Sequence, residues 1–316
     1  MSALILAAGT PGGPSILKQV FNFDDYGELL SLVHNSVIAA AVLGIVCGLI
    51  STFVMMRDLP FAVHGISELS FAGAAAALLG GFSVVVGSLA GSLLAAVAIG
   101  ALGIKARDRN SIIGVLMPFG LGLGVLFLSL YKGRSANKFG LLTGQIVSID
   151  TPQLSWLIGI SVIVVIALLI MWRPLTFASL DADVAAARGV PVRLLSPAFM
   201  LVLGMTVAMS IQIVGALLVL SVVCTPAAAA MRITASPLRI AALSVTFATT
   251  STVGGILLAL GSSLPISPYI TTISFTIYVV CRVIGAVRER GRPVLAVAAE
   301  PSPSMTLQTS TPGGSE

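Results

Sequence analysis

Residues 55–81 read MMRDLPFAVHGISELSFAGAAAALLGG. Beyond the charged pair Arg57-Asp58, the stretch 62–80 carries only two ionisable side chains, His64 and Glu68, and ends at Gly80-Gly81. A helix crosses the hydrocarbon core of a bilayer with roughly 20 mostly apolar residues, so this stretch reads as a transmembrane helix. The pattern repeats on both sides of it. Spans are expected near 35–56, 62–80, 83–104, 112–131, 154–172, 196–211, 215–231, 238–260 and 270–287, about nine helices in all. The sixth and seventh meet around Gln212 to Gly215, and if they form one broken helix the count is eight.

The composition agrees with that reading. Charged residues make up 9% of the 316, against about 25% in a typical soluble domain. Hydrophobic residues make up 57% and the mean hydropathy is +1.06. So few charges cannot cover a soluble globule of this size, which excludes a soluble enzyme. The 32 glycines and the 6% aromatic content suit closely packed helices better than a lipid-facing β-barrel. The fold class is therefore all-α, a polytopic membrane protein surrounded by membrane lipid.

A net charge of +5 and a pI near 9.4 would suggest nucleic acid for a soluble protein. Here the basic residues punctuate apolar spans, so they report topology and no nucleic-acid partner is expected. One side of the alternating spans collects Arg57, Lys105, Arg107, Arg109, Arg173, Arg188, Arg193, Arg232, Arg239, Arg288, Arg290 and Arg292. The other collects Lys18, Lys132, Arg134 and Lys138. Excess Lys and Arg mark the cytoplasmic side, which puts the N-terminus outside and the C-terminus in the cytoplasm.

Three regions follow. Residues 1–33 form an N-terminal segment in which Leu17 to Val33, with Asp24, Asp25 and Glu28 among apolar residues, reads as an interfacial amphipathic helix. Met1 to Ala8 lacks a basic flank and is not read as a cleaved signal. Residues 34–292 are the transmembrane domain. Residues 293–316 turn to Pro, Ser, Thr and Gly and read as a disordered tail. Cys47, Cys224 and Cys281 each sit in an apolar run without metal-ligand spacing and read as small buried hydrophobes with no disulfide.

His64 and Glu68 are four residues apart, so imidazole and carboxylate share a helix face. A carboxylate inside the membrane costs about 2.5–3.5 kcal/mol on insertion scales and requires a partner or an aqueous path. One reading is a His–Glu pair that satisfies itself. The other is a cation site, since both groups ligate Zn, Mn and Fe. Two ligands on one helix do not close a four-ligand site, whereas a two-fold dimer would bring two of each together.

Other motifs bear on mechanism. The chain has no G-x-x-x-x-G-K-[ST] phosphate loop and no H-E-x-x-H zinc-protease motif. Between Arg173 and Arg193, the run from Asp181 through Asp183, Ala186 and Arg188 to Gly189 reads as a short helix, acidic at its start and closed by Arg and Gly. It is either a plain surface connection or a helix that docks onto a partner. In Cys224-Thr225-Pro226 the proline removes a backbone hydrogen bond inside an apolar run, which predicts a kink at Thr225 and Pro226 and allows a gating hinge. Arg282, inside the last span, is placed to snorkel toward the cytoplasm.

These segments together resemble a known family. Residues 55–81 resemble the second-helix signature of permease subunits from the zinc/manganese class of ABC importers. Asp181 to Pro191 resembles their coupling loop, Ile213 to Leu218 and Thr225 to Ala230 their Val-Gly-Ala-Leu-Leu and Thr-Pro-Ala segments, and Leu142-Thr143-Gly144-Gln145-Ile146 a short loop of theirs. The resemblance runs in order from about residue 34 to 292. It implies a helical permease that forms a homodimer, performs no chemistry itself, and works with a separate ABC ATPase and an extracellular metal-binding protein. ATP then sits on the partner subunit, no cofactor is bound covalently, and a divalent transition metal (Mn, Zn or Fe) is the cargo. The family commonly places aspartate where this chain has His64 and histidine where it has Glu68. The ligand types are exchanged, and one imidazole and one carboxylate remain. Two rivals stay open: an ABC permease for haem or a metal chelate, and an ion-coupled secondary transporter using Glu68. The second is disfavoured by the lack of an internal repeat.

Overall fold

The computed structural model describes residues 33–102, 106–133, 140–144, 149–260 and 265–290. The expectations for 1–32, for Gln145-Ile146 and for the tail from 293 lie outside the described residues. Every named element among the described residues is helical.

Helix α1 spans His34–Met56, α2 Pro60–Gly80, α3 Val84–Leu102 and α4 Ala106–Leu130. They are followed by α5 at Thr151–Leu180, the short α6 at Ala182–Ala187 and α7 at Val192–Val214. A tight 3-10 turn at Ala216–Leu218 leads into α8 at Val219–Val223 and α9 at Thr225–Ala230. The chain then forms α10 at Pro237–Ala259 and α11 at Ile266–Arg290. Eight of these, α1 to α5, α7, α10 and α11, are long and apolar enough to cross a membrane.

Small residues set the packing. A Cβ on Gly48 of α1 would lie 2.4 Å from the Val245 Cα of α10, and one on Gly73 of α2 would lie 2.2 Å from the Gly87 carbonyl oxygen of α3. Backbones at these crossings are in near contact, as expected where dispersion rather than hydrophobicity drives helix association. The packed interior includes Leu43, Ile50 and Phe53 of α1, Ile66 and Phe71 of α2 and Phe199 of α7, all fully buried. Leu94, Val115, Trp156, Leu169 and Val283 are exposed on the outside of the bundle. Apolar residues on both the inside and the outside of a bundle are what a lipid solvent requires.

The seventh expected span differs from its reading as a continuous helix over 215–231. It is broken at both Gly215 and Cys224. Gly215 turns the chain with φ 87°, a conformation that L side chains rarely adopt. Pro226 has no N–H to offer the preceding turn. The broken segment nevertheless traverses the bundle. Near its start, Ser267 Oγ at the beginning of α11 donates to the Val214 carbonyl at 3.2 Å. Near its finish, the Ala227 N–H donates to Ser51 Oγ, in the last turns of α1, at 3.1 Å. The described residues thus cross the bundle eight times as continuous helices and a ninth time in pieces, so that α1 begins and α11 finishes at opposite ends of it.

A second difference concerns the connection expected from Arg173 onward. Helix α5 continues through Arg173 and Pro174 to Leu180. One missing proline N–H does not stop a helix whose later turns pack, with Leu175 and Ala178 buried. Of the basic residues, Arg57, Arg109, Arg188, Arg193, Arg232, Arg239 and Arg288 lie at the end where α1 finishes, and Lys132 at the opposite end.

Candidate functional site

Pro60 in the first turn fixes the start of α2, and Gly81, with φ 72°, ends it in a left-handed cap. Glu68 is the ninth residue of this helix, so it lies about 12 Å along an element about 31 Å long. Its surroundings are tight. A Cβ on Gly120 of α4 would sit 2.9 Å from the Glu68 carbonyl carbon, so α4 lies directly against the backbone that carries the carboxylate.

Glu68 is buried, 6% exposed, while the His64 side chain is 37% exposed. His64 Nε2 lies 3.8 Å from Glu68 Oε1. That distance is an ion-pair approach if the imidazole is protonated, and it is too long for a hydrogen bond. His64 Nδ1 is buried and has no partner at all. In this turn Ser67 Oγ donates to the His64 carbonyl at 3.0 Å. The structure therefore brings the two residues onto one face, as the spacing requires, without closing them into a hydrogen-bonded pair. No group of three or more His, Cys, Asp or Glu is gathered among the described residues. His64 and Glu68 are thus two groups able to ligate a cation, fewer than a closed four-ligand site needs.

The short helix expected after Asp181 is present. Asp181 caps it, its Oδ1 accepting from the N–H groups of Asp183 at 3.1 Å and Val184 at 2.9 Å. Asp183 adds a negative charge to the first turn, and Gly189, with φ 85°, closes the far end. Ala185 is fully buried, whereas Asp181, Asp183, Ala186, Arg188 and Gly189 are exposed. One residue anchors α6 to the bundle and the rest of its surface is free. Thr225 and Pro226 sit where the broken crossing restarts as α9, immediately after the interruption at Cys224. The three cysteines are buried and unbridged, and Cys47 Sγ lies 3.3 Å from Ser210 Oγ. Arg282 Nη1 donates to the Tyr278 hydroxyl at 3.3 Å.

One feature had no counterpart in the sequence reading. A cavity of about 470 Å³ at the end where α1 begins is lined by Ser83, Gln153, Trp156 and Gln212 among others, and includes neither His64 nor Glu68. The dispersed amides that line it carry no motif.

The profile of the ABC 3 transport family matches residues 30–285. The chain belongs to the ABC 3 transport family. Among relatives, it is 27% identical over 234 residues to the manganese transport system membrane protein MntC of Halalkalibacterium halodurans, covering 73% of this chain and 80% of that protein. It is 28% identical over 214 residues to the manganese import system permease protein ScaB of Streptococcus parasanguinis, covering 67% and 75%. Among solved structures, PsaBC from Streptococcus pneumoniae in complex with Fab superposes with a TM-score of 0.73 at 24% identity, over 82% of this chain and 95% of that one, which establishes the shared fold. The resemblance read from residues 55–81 and 181–191 holds. The permease is a multi-pass membrane subunit and not an enzyme; ATP hydrolysis in such importers belongs to a separate chain, and a substrate-binding protein is the other partner that membership implies.

Proposed function

We propose that this permease imports a divalent transition metal, manganese before zinc or iron, with His64 and Glu68 as a transient site on the pathway. The observation that carries the reading is the open pair itself: a buried carboxylate beside an imidazole whose Nδ1 has no partner, on the inner part of a transmembrane helix. An imidazole and a carboxylate without a thiolate are a donor set that a hard to borderline cation accepts. The names of the relatives MntC and ScaB support manganese as its identity.

The permease acts as a homodimer, in which two copies of the pair supply two imidazoles and two carboxylates. A sparse set suits transport, because a site that holds the ion too tightly does not release it. The end that collects the arginines is cytoplasmic, which places the N-terminus outside and the C-terminus inside. Helix α6 with its flanking residues, Asp181 to Gly189, docks into a cleft of the ABC ATPase, and closure of the ATPase pair on ATP moves it. Thr225 and Pro226 serve as the hinge of the broken crossing. Metal arrives from an extracellular metal-binding protein, and the permease itself carries no resident cofactor.

The test is uptake of radiolabelled manganese by the complete importer in proteoliposomes, with zinc, iron and haem as competitors. Uptake that requires ATP and is displaced by free divalent metal is the expected result. Displacement only by haem or a metal chelate would replace the cargo, and uptake without the ATPase would favour ion-coupled exchange through Glu68.

A further inference from the structure

The cavity of about 470 Å³ at the end where α1 begins lies apart from His64 and Glu68. A smaller cavity shares Val85, Gln153, Trp156 and Gln212 with it and extends the lining to Ile149 and Met209. The walls are mixed in character. Two carboxamides and the Ser83 hydroxyl stand beside the Trp156 indole, which is 59% exposed. A hollow with such walls suits an occupant that offers an apolar surface and a hydrogen-bonding group together.

The chain itself enters the bundle at this place. Asn35, in the first turn of α1, donates from Nδ2 to the Ile149 carbonyl at 3.5 Å, and Ile149 lines the smaller cavity. Val33, immediately before α1, is buried at 5% exposure. The residues that precede Val33 are therefore tethered beside the hollow, and their sequence suits it. At helical spacing Phe23, Tyr26, Leu30 and Val33 fall on one stripe, with Asp24, Asp25 and Glu28 on the opposite side. Ten residues of helix span about 15 Å, so Phe23 stands within about three turns of the tether.

We propose that residues 17–32 fold back over this end of the bundle and seat Phe23 and Tyr26 in the cavity, an intramolecular cover across α5 and α7. Phe23 brings a ring to pack on Trp156, and the Tyr26 hydroxyl is a partner for the carboxamides of Gln153 and Gln212. The opposite side of the segment keeps its three carboxylates in water. A membrane surface also accepts an apolar stripe, but it offers neither the amides nor the tether, which holds the segment at high effective concentration beside the cavity. The cover is separate from the metal site and does not depend on the cargo.

The experiment uses the full-length permease in nanodiscs; Cys47, Cys224 and Cys281 are buried, so introduced cysteines report against a quiet background. Gln153→Cys is labelled with a membrane-impermeant maleimide, alone and together with Phe23→Ala and Tyr26→Ala. Labelling about tenfold faster in the alanine background is the expected result. Tyr26→Cys is then paired with Gln212→Cys and oxidised, which joins them only if their Cα atoms come within about 7 Å. A cross-link within one chain is expected, and Glu28→Cys with Gln212→Cys should form it about tenfold less. If the alanine variant does not fold, the cross-link comparison decides the question. Equal labelling rates in the two backgrounds would overturn the proposal, as would equal cross-linking by Tyr26→Cys and Glu28→Cys. A cross-link between two chains would assign the cavity to a second copy and overturn the cover. Protection of Gln153→Cys that arises only when the extracellular metal-binding protein is added would give the cavity to that partner, and would overturn it too.

Discussion

The Ala227 N–H, in the first turn of α9, donates to the fully buried Ser51 Oγ of α1 at 3.1 Å. A helix that starts inside the bundle has first-turn N–H groups with no carbonyl above them, and in lipid no water replaces it. A side chain on a neighbouring helix supplies the missing acceptor. Restarting the ninth crossing after Cys224 therefore depends on a residue far away in the sequence.

Ser51→Ala removes that acceptor and leaves a buried donor unsatisfied, at a cost of about 1–3 kcal/mol. The thermal midpoint of the purified permease should fall accordingly. An unchanged midpoint would show that the break is held by packing alone.

Gly215 offers a sharper test of the same crossing. Its φ of 87° with ψ of 158° belongs to a region that is essentially closed to other residues, and a Cβ there would lie 2.3 Å from the Leu142 carbonyl oxygen. Gly215→Ala combines strain of about 1–3 kcal/mol with a backbone collision, so folded, monodisperse protein should be lost on purification in detergent. Recovery of wild-type amounts with an unchanged melting curve would mean that the turn has another conformation.

Ala186 is exposed on α6, on the surface proposed to meet the ATPase. Ala186→Glu should leave the isolated permease as stable as the wild type, because the residue touches little within its own chain. In the reconstituted importer it should uncouple hydrolysis from uptake, since a packed interface does not accommodate an unpaired carboxylate. Parallel measurement of ATPase rate and manganese uptake checks this, and intact coupling would remove α6 from the mechanism.

What the sequence made legible was whatever hydropathy and local spacing encode. Eight long helices, the short helix capped by Asp181 and the shared face of His64 and Glu68 all follow from patterns within a single element. The course of 215–231 was harder to read, because glycine and proline in an apolar run signal a kink and a full break alike, and the choice rests on Ser51 of another helix. Helix α5 outran its expected stop since Arg173-Pro174 looks like a terminus, and only the buried Leu175 and Ala178 show that the helix keeps packing. The 3.8 Å gap between His64 and Glu68 and the orphaned Nδ1 depend on side-chain rotamers, which no spacing encodes.

The decisive prediction concerns that open pair. If Glu68 met lipid in the assembled importer, its carboxylate would bear an insertion cost of about 2.5–3.5 kcal/mol with no return. A dimer that sets the two α2 helices along a shared pathway gives it water and a cation instead, and gives the half-exposed His64 a ligand to share. Glu68→Gln and His64→Ala should each abolish metal uptake while membrane insertion, assembly with the ATPase and basal ATP hydrolysis persist. The exchanged pair, His64→Asp with Glu68→His, keeps one carboxylate and one imidazole on the same face and adopts the order that the resemblance implies. It should retain manganese uptake and shift the ratio of manganese to zinc transported, because the two donors trade depth along the helix while their chemistry is unchanged. Normal uptake by Glu68→Gln would remove the mechanism. A dimer structure with both side chains turned away from the partner and from any cavity would remove the site, and an exchanged pair as inactive as Glu68→Gln would show that geometry, not ligand count, decides whether the ion passes.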